Sequence, residues 1–196
     1  MEPDNTYDSS SDEELGKGLA LIHKQTNTNY GFYADNYCGA SKQNNAWNTD
    51  WVDFYGKQRL GHILKLSNQV RNIPSEQRRT YEKLILKLPE LIPDDARPSL
   101  IHGDLWSGNY MHTKIKPALI DPAAYYANRE MEMGIMSLFG GFSNGFWAAY
   151  NEIFPLPNDW ESRNKLYQLY HVLNHYYLFG GAYGQQAYQI AKYYVG

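Results

Sequence analysis

Apolar residues recur at intervals of three and four over most of the chain, which is the period of an amphipathic α-helix. Residues 76–91 show this spacing most clearly, because Tyr81, Leu84 and Leu88 fall on one face and Pro93 follows the last turn. The same spacing, or a capping signal before it, predicts further helices from residue 15 onward and over residues 50–66, 129–139, 144–153, 160–179 and 183–194.

Three short apolar runs are typical of β-strands. They cover residues 99–101, 110–113 and 118–120, and Lys116 with the following proline predicts a turn between the last two. Residues 27–48 are rich in Asn, Gly and Tyr without a regular period, and they predict a long loop. We therefore expect an α+β fold that is predominantly helical, with a small β-hairpin region at its centre.

Charge is unevenly distributed along the chain. The formal net charge is −3, and every charged side chain within residues 1–14 is acidic. This predicts an acidic flexible lead-in over residues 1–14, followed by one lobe over residues 15–196. The lobe has no dense basic patch, so no nucleic-acid partner is expected. Residues 133–150 lack charge but contain glycine, serine and asparagine, so no membrane segment is expected either.

Cys38 is the single cysteine, which excludes an internal disulfide and favours a reducing, cytoplasmic location. It lies in the predicted loop without an evident base partner, and we expect it to be unreactive. The sequence leaves the oligomeric state open.

The segment over residues 100–109 reads Leu-Ile-His-Gly-Asp-Leu-Trp-Ser-Gly-Asn and carries the candidate chemistry. A phosphotransferase needs a carboxylate that accepts the proton of the acceptor hydroxyl, and oxygen ligands for Mg²⁺. Asp104 and Asn109 have the five-residue spacing found in kinases, and Asp121 follows the next predicted strand. A polar turn is the alternative, since Asp and Gly-Asn are common in loops. The flanking strands favour the phosphotransferase, with His102 in a structural role.

This segment, followed by Ile-Asp-Pro-Ala-Ala-Tyr-Tyr over residues 120–126 and Leu-Tyr-His-Val-Leu-Asn-His over residues 169–175, closely resembles the fructosamine kinase (ketosamine 3-kinase) family. The resemblance covers residues 15–188. It implies a protein kinase-like fold, of which this chain is the C-terminal lobe. It also implies ATP-dependent phosphorylation, with Mg²⁺, of the sugar 3-hydroxyl of a small-molecule sugar-amine or a glycated protein, as a deglycation step.

The resemblance also assigns roles to individual residues. Asp104 corresponds to the catalytic base, and Asn109 and Asp121 to metal ligands that also hold the nucleotide. It places five side chains at the sugar site: Trp106, Tyr125, Arg129, His171 and His175. The two histidines have the spacing of a metal pair, but no third ligand is evident in the sequence. A structural or substrate-wall role is therefore preferred for them.

Two departures from the family pattern qualify this interpretation. Glu132 stands where the family usually has Asp on the helix that anchors the catalytic loop, so the loop position is in question. The β-rich N-lobe with its nucleotide-covering loop and ATP-anchoring lysine is absent, and residues 16–18 (Gly-Lys-Gly) do not replace it. Two alternatives stay open: a non-catalytic fragment or pseudoenzyme, and a related aminoglycoside- or choline-type kinase.

Overall fold

The computed structural model describes residues 9–93 and 96–196. A π-helix over Phe54–Gly61 joins the second and third α-helices. The α-helices of the described residues are α1 Ser9–His23, α2 Trp51–Asp53, α3 His62–Arg71, α4 Ser75–Leu91, α5 Glu130–Phe139, α6 Asn144–Ile153, α7 Trp160–Phe179 and α8 Tyr183–Val195. The expectation of a predominantly helical chain is confirmed.

Helix α1 begins earlier than the charge pattern predicted. It starts at Ser9, so residues 9–14 are helical rather than a flexible lead-in, and that part of the prediction is wrong. Asp12 is only 3% exposed, and its carboxylate lies 3.7 Å from His112 Nε2. Asp12 is therefore part of the folded lobe although it is acidic. Residues 1–8 lie outside the described part of the chain.

The strands are short and form antiparallel pairs. They are β1 Asn36–Cys38, β2 Ser41–Gln43, β3 Ser99–Ile101, β4 Tyr110–Met111, β5 Ala118–Leu119 and β6 Tyr125–Ala127. Strand β1 pairs with β2, β3 with β6, and β4 with β5. The sequence predicted β3, β4 and β5 but missed β6 and the β1–β2 hairpin, which lies inside the predicted loop over residues 27–48. Two or three residues are too few to show an alternating pattern.

The helix predicted over residues 50–66 is longer and less regular than expected. Asp50 caps its start by accepting a hydrogen bond from Asp53 N at 2.6 Å, and the helical run continues to the end of α3. Asn72 then ends it in the left-handed conformation, with a φ of 51°. The π-helix in the middle makes i→i+5 hydrogen bonds, a form that often occurs at functional sites.

Two hydrophobic clusters hold the helices together. The larger one joins the π-helix and α3 to α4, α7 and α8, with fully buried side chains that include Tyr55, Leu60, Leu84, Leu166 and Ala191. The smaller one joins α1 to α5 and α6 through Leu19, Met133, Phe146 and Tyr150. Of the helices in the described residues, none is both long enough and apolar enough to cross a bilayer.

Arg59 is a charged side chain at the centre of the larger cluster, with no exposed surface. Its guanidinium carbon lies 3.9 Å from the Tyr125 ring centroid and 4.6 Å from that of Phe54. It donates hydrogen bonds to Asn44 O at 2.8 Å and to Asn45 Oδ1 at 2.6 Å. Arg59 therefore fixes the chain after β2 against the π-helix, beside the strands that carry the candidate site.

Candidate active site

The candidate carboxylates lie on a loop that is closed at both ends. Strands β3 and β6 pair with Ile101 opposite Tyr125, so the residues between the two strands form a loop whose ends lie side by side. Immediately inside this pairing, Ala123 N donates to His102 O at 2.9 Å. Residues 102–124, which we call the closed loop, therefore carry Asp104, Asn109 and Asp121 as a single unit.

Gly103 is required at the neck of the closed loop. Its φ is 84°, a left-handed conformation that disfavours side chains. A Cβ built on Gly103 would lie 2.2 Å from Ala123 O, which is far inside contact distance. A glycine therefore allows the two ends of the loop to approach each other before Asp104.

Glu132, on α5, anchors the start of the closed loop. Its carboxylate accepts hydrogen bonds from His102 N at 2.5 Å and from Gly103 N at 3.0 Å, and its side chain has no exposed surface. The sequence raised the question of whether a side chain longer than Asp would misplace the loop. The structure shows that the glutamate reaches both backbone amides.

His102 cross-links the closed loop through both ring nitrogens. Its Nδ1 accepts a hydrogen bond from Asp104 N at 3.3 Å, and its Nε2 donates to Ile120 O at 2.8 Å. Because each nitrogen has a distinct partner, these contacts assign the neutral tautomer with the proton on Nε2. His102 thus orients the residues next to Asp104 and Asp121, the structural role that the sequence favoured.

Asn109 is hydrogen-bonded to the backbone of Asp104 and of Ile120, the residue before Asp121. Asn109 Nδ2 donates to Asp104 O at 2.8 Å, and Asn109 O accepts from Ile120 N at 3.0 Å. Asp121 is exposed and has a φ of 51°, an uncommon conformation for a non-glycine residue. The Asn109 amide oxygen and the Asp121 carboxylate are hard ligands of the kind that Mg²⁺ prefers, so this donor set fits the ion.

Asp104 lies where a carboxylate is a strong proton acceptor near neutral pH. Burial raises the pKa of Asp104 to about 7, and the negative charges of Glu132 and Asp121 act in the same direction. Hydrogen bonds with the Cys38 thiol and Asn109 oppose this rise. Burial also raises the pKa of Cys38 well above its ordinary value, so the thiol stays protonated. The expectation that Cys38 has no base partner is wrong, because it contacts Asp104.

A cavity of about 270 Å³ opens in front of Asp104. Larger grooves of 480 to 690 Å³ lie elsewhere on the surface, and Asp104 lines none of them. The residues that line the Asp104 cavity come from the β1–β2 turn, the closed loop, α5 and α7: Gly39, Asp104, Trp106, Phe139, Asn174, His175, Leu178 and Phe179.

Aromatic rings form most of the cavity wall. Trp106 is 41% exposed, and its ring lies 6.3 Å from that of Phe139. A Cβ on Gly108 would lie 2.2 Å from the Trp106 ring, so a glycine is needed beneath the indole. The structure therefore places Trp106 in the wall of the same cavity as Asp104, with an exposed ring.

The two histidines of α7 occupy different environments. His175 lines the cavity, and its ring lies 5.0 Å from Phe139 and 5.5 Å from Phe179. His171 is only 1% exposed and lies behind Asp104, next to Cys38. The placement of His175 agrees with a position in the cavity wall, whereas His171 lies beneath that wall.

Tyr125 and Arg129 do not reach the cavity, so their expected placement at its border is wrong. Tyr125 points inward from β6 and has no exposed surface, because the buried positions of this strand alternate. Arg129 points toward the end of α6, where it donates to Phe154 O at 2.6 Å and to Pro155 O at 2.5 Å. Both residues stabilise the fold around the site.

Several residues in or behind the cavity wall were not assigned to the site from the sequence. Gly39 and Cys38 come from the unrecognised β1–β2 hairpin, and Asn174 donates to Cys38 O at 3.3 Å from α7. Phe139 and Phe179 each end a predicted helix before a Gly-Gly pair. The signal available in the sequence was an aromatic residue at the end of a predicted helix, directly before two glycines.

Comparison with known proteins decides the family. The model of the fructosamine kinase family matches residues 2–195. This chain belongs to that family. The resemblance stated from the loop motif is thereby confirmed.

Relatives within the family are similar over most of this chain. A protein of Synechocystis named probable ketoamine kinase is 39% identical over 91% of this chain and 60% of its own length. The chloroplastic protein-ribulosamine 3-kinase of Arabidopsis thaliana is 40% identical over 90% of this chain and 55% of its own length. The chain thus spans less than two thirds of these family members.

The fold is shared with a solved member of the family. The crystal structure of a candidate fructosamine-3-kinase from Thermobifida fusca superposes on the whole chain with a TM-score of 0.91 at 31% identity, and the match covers 68% of that protein. The α+β, kinase-like fold class expected from the sequence is confirmed.

Proposed function

We propose that the protein carrying this chain transfers the γ-phosphoryl group of ATP to a sugar hydroxyl of ketoamine adducts. The acceptors would be the 3-hydroxyls of fructosamines or ribulosamines, on small amines or on glycated proteins. The observation that carries the proposal is the Asp104 carboxylate, whose pKa is raised to about 7 at the floor of an aromatic-walled cavity. Family membership and the names of the relatives support the same reaction.

In this proposal Asp104 accepts the proton of the attacking hydroxyl. A raised pKa suits that role, because a general base works best when its pKa is close to the operating pH. Glu132 and His102 hold the backbone around Asp104, so the carboxylate is positioned before the substrate arrives. Preorganisation of this kind is the main contribution of a protein to phosphoryl transfer.

Asn109 and Asp121 would hold Mg²⁺ and, through it, the phosphates of ATP. The bound ion would neutralise charge on the phosphates. The hydrogen bond from Asn109 Nδ2 to Asp104 O ties the Asn109 side chain to the position of Asp104. The residues of this chain thus supply the acceptor side and the metal ligands of the reaction.

The cavity wall would bind the sugar. Trp106 offers an accessible ring face on which a sugar can stack, and His175 supplies a polar group among the aromatic rings. We place the reaction in a reducing compartment such as the cytoplasm, since the only cysteine of the sequence is a free, buried thiol.

The decisive experiment incubates the purified chain with ATP and Mg²⁺ and a panel of acceptors, and detects phosphorylated products by mass spectrometry. The panel contains fructosyl- and ribulosyl-lysine, a glycated protein, choline and an aminoglycoside. We expect ketoamines to be phosphorylated and Asp104→Asn to abolish turnover while the circular dichroism spectrum is retained.

Other outcomes of this experiment would reject the proposal in different ways. Turnover that persists in Asp104→Asn would remove the assigned role of that residue. Phosphorylation of choline or the aminoglycoside alone would reassign the substrate class. Ketoamine binding without phosphoryl transfer would favour a non-catalytic protein.

A further inference from the structure

Three potential metal ligands from distant parts of the sequence meet behind the cavity. Cys38 comes from β1, Asp104 from the closed loop and His171 from α7. One sulfur, oxygen or nitrogen atom of each lies within 4.8 Å of the corresponding atoms of the other two. Thiolate, carboxylate and imidazole are the ligand types that Zn²⁺ takes from proteins.

His171 supplies an independent indication that a ligand belongs there. It is 1% exposed, yet neither ring nitrogen has a hydrogen-bond partner among the described residues. A buried polar atom without a partner costs about 1–3 kcal/mol, so such atoms usually serve a purpose. An imidazole nitrogen facing a thiol and a carboxylate regains that free energy when it binds a cation.

The geometry needs only a small contraction to form a coordination site. Bonds from Zn²⁺ to sulfur, nitrogen and oxygen are about 2.0–2.3 Å long, which places tetrahedral ligand atoms about 3.5 Å apart. The three ligand atoms now lie within 4.8 Å of one another, so the longest of these distances must shorten by about 1 Å.

The surroundings provide a hydrogen-bond donor to the sulfur and a route for the ion. Asn174 Nδ2 lies 3.4 Å from Cys38 Sγ and donates to it, so a sulfur that loses its proton to a bound cation keeps a donor. Asp104 and Asn174 both line the cavity of about 270 Å³, so an ion can enter from solvent and a water can complete its coordination. Three protein ligands and one open position form a common arrangement for zinc.

We propose that Cys38, Asp104 and His171 bind one thiophilic divalent cation, represented by Zn²⁺. Binding forms one bond from each residue to the ion and releases to water the Cys38 thiol proton and, in molecules whose Asp104 carboxyl is protonated, the Asp104 proton as well. This site is separate from the pair of oxygen ligands at Asn109 and Asp121, because its sulfur and nitrogen atoms select against Mg²⁺.

The consequence for activity rests on the proposed function. A cation at this site occupies the lone pairs of the Asp104 carboxylate that would accept the substrate proton. Zn²⁺ would therefore inhibit phosphoryl transfer without displacing Mg²⁺ or ATP. The binding itself does not depend on the proposed function, so the two can fail separately.

The test is a titration of the reduced, metal-free chain with Co²⁺, followed by displacement with Zn²⁺. We expect one equivalent of Co²⁺ to bind, with the near-ultraviolet charge-transfer absorption of a cobalt–thiolate bond that Zn²⁺ then abolishes. Cys38→Ser should remove this absorption, and His171→Asn and Asp104→Asn should each weaken binding by about tenfold or more. Circular dichroism establishes that each variant is folded.

His175→Asn is the matched control, since it removes an imidazole one turn further along α7 and outside the cluster. We expect this variant to bind Co²⁺ as the wild type does. The proposal is overturned if the wild type shows no cobalt–thiolate absorption. It is also overturned if binding survives in Cys38→Ser and is lost in His175→Asn.

An inhibition assay tests the functional consequence. If the chain phosphorylates a ketoamine, Zn²⁺ should lower the rate in the presence of excess Mg²⁺. Cys38→Ser should need about tenfold more Zn²⁺ for the same fractional inhibition, following its weaker binding. Equal sensitivity of Cys38→Ser and wild type would contradict inhibition through this site.

Discussion

His23 and Glu132 face each other inside the protein, with 3.6 Å between His23 Nε2 and Glu132 Oε2 and no exposed surface on either side chain. The Tyr150 hydroxyl accepts a hydrogen bond from Arg129 Nη1 at 3.1 Å, so it donates its own proton to His23 Nδ1 at 2.8 Å. The His23 proton therefore lies on Nε2, directed at the carboxylate. Because burial lowers the pKa of His23, the ring stays neutral.

Removal of the Glu132 carboxylate should destabilise the fold at the closed loop. Glu132→Ala leaves the amides of His102 and Gly103 without an acceptor, and each buried orphan donor costs about 1–3 kcal/mol. We expect the free energy of unfolding to fall by about 2–5 kcal/mol, measured by urea denaturation followed by tryptophan fluorescence. Glu132→Gln, which keeps one acceptor oxygen, should lose less.

Glu152→Ala is the control for this measurement, because Glu152 is exposed on α6. Its free energy of unfolding should stay within about 0.5 kcal/mol of the wild type. Equal losses in the two alanine variants would show that Glu132 does not anchor the loop.

A pair of glycine substitutions separates steric contact from backbone strain. Gly103 and Gly140 both have positive φ angles, of 84° and 68°, but a Cβ at Gly140 meets nothing within 4 Å. Gly140→Ala should cost about 1–3 kcal/mol for the backbone alone, because a φ of 68° with a ψ of −158° is a conformation that essentially only glycine adopts. Gly103→Ala adds the clash with Ala123 O and should cost clearly more. Thermal unfolding of both variants measures the difference, and a smaller loss for Gly103→Ala would contradict the tight neck.

The pKa of Asp104 predicts how stability depends on pH. Burial raises that pKa from 3.8 to about 7 in the folded chain, so between these values the folded state binds more protons than the unfolded state. The contribution of Asp104 to stability therefore falls as pH rises from about 4 to about 7, and it stays low above pH 7.

Asp104→Asn removes this titration. We expect the variant to be more stable than the wild type at pH 8, by at most about 4 kcal/mol, and the difference to shrink toward pH 4. Urea denaturation at several pH values measures it, with Glu90→Gln on the exposed side of α4 as a control whose difference from wild type changes little. A stability gain that does not vary with pH would refute the raised pKa.

The buried guanidinium of Arg59 should not tolerate replacement by another cation. Lysine cannot stack on Tyr125 and reach the oxygens of Asn44 and Asn45 at the same time. We expect Arg59→Lys to lower the free energy of unfolding by about 2–3 kcal/mol, whereas Arg78→Lys on the exposed surface of α4 should change it by less than about 0.5 kcal/mol. Chemical denaturation compares them, and similar effects of the two changes would contradict the role of Arg59.

The sequence predicted most helices because their periodic faces extend over ten or more residues. It also predicted Asp104, Asn109 and Asp121 as one group, since the spacing of these residues is local and their loop is closed by neighbouring strands. The orientation of Tyr125 and Arg129 depends on which face of a short strand or helix start points inward. Two or three residues do not encode that choice in a periodic pattern.

The cluster behind the cavity had no signal in the sequence. Cys38 and Asn174 lie 136 positions apart, and their contact depends on how the β1–β2 hairpin packs against α7. Such packing is determined by the whole core, including the buried Arg59. Local spacing therefore predicted that the candidate groups lie on one loop, but it did not predict the cavity walls around them.

Because β3 pairs with β6, the candidate reacting groups and most of the cavity-lining residues lie in different segments of the sequence. The groups assigned to phosphoryl transfer lie together within residues 102–124. The side chains that line the cavity in front of Asp104 come mostly from residues 139 and 174–179, outside the paired strands. Mutation of the second set can alter which molecule is held without moving the first set. Under the proposed function, a lineage with this layout would change its preferred acceptor in small steps while its reaction stayed the same.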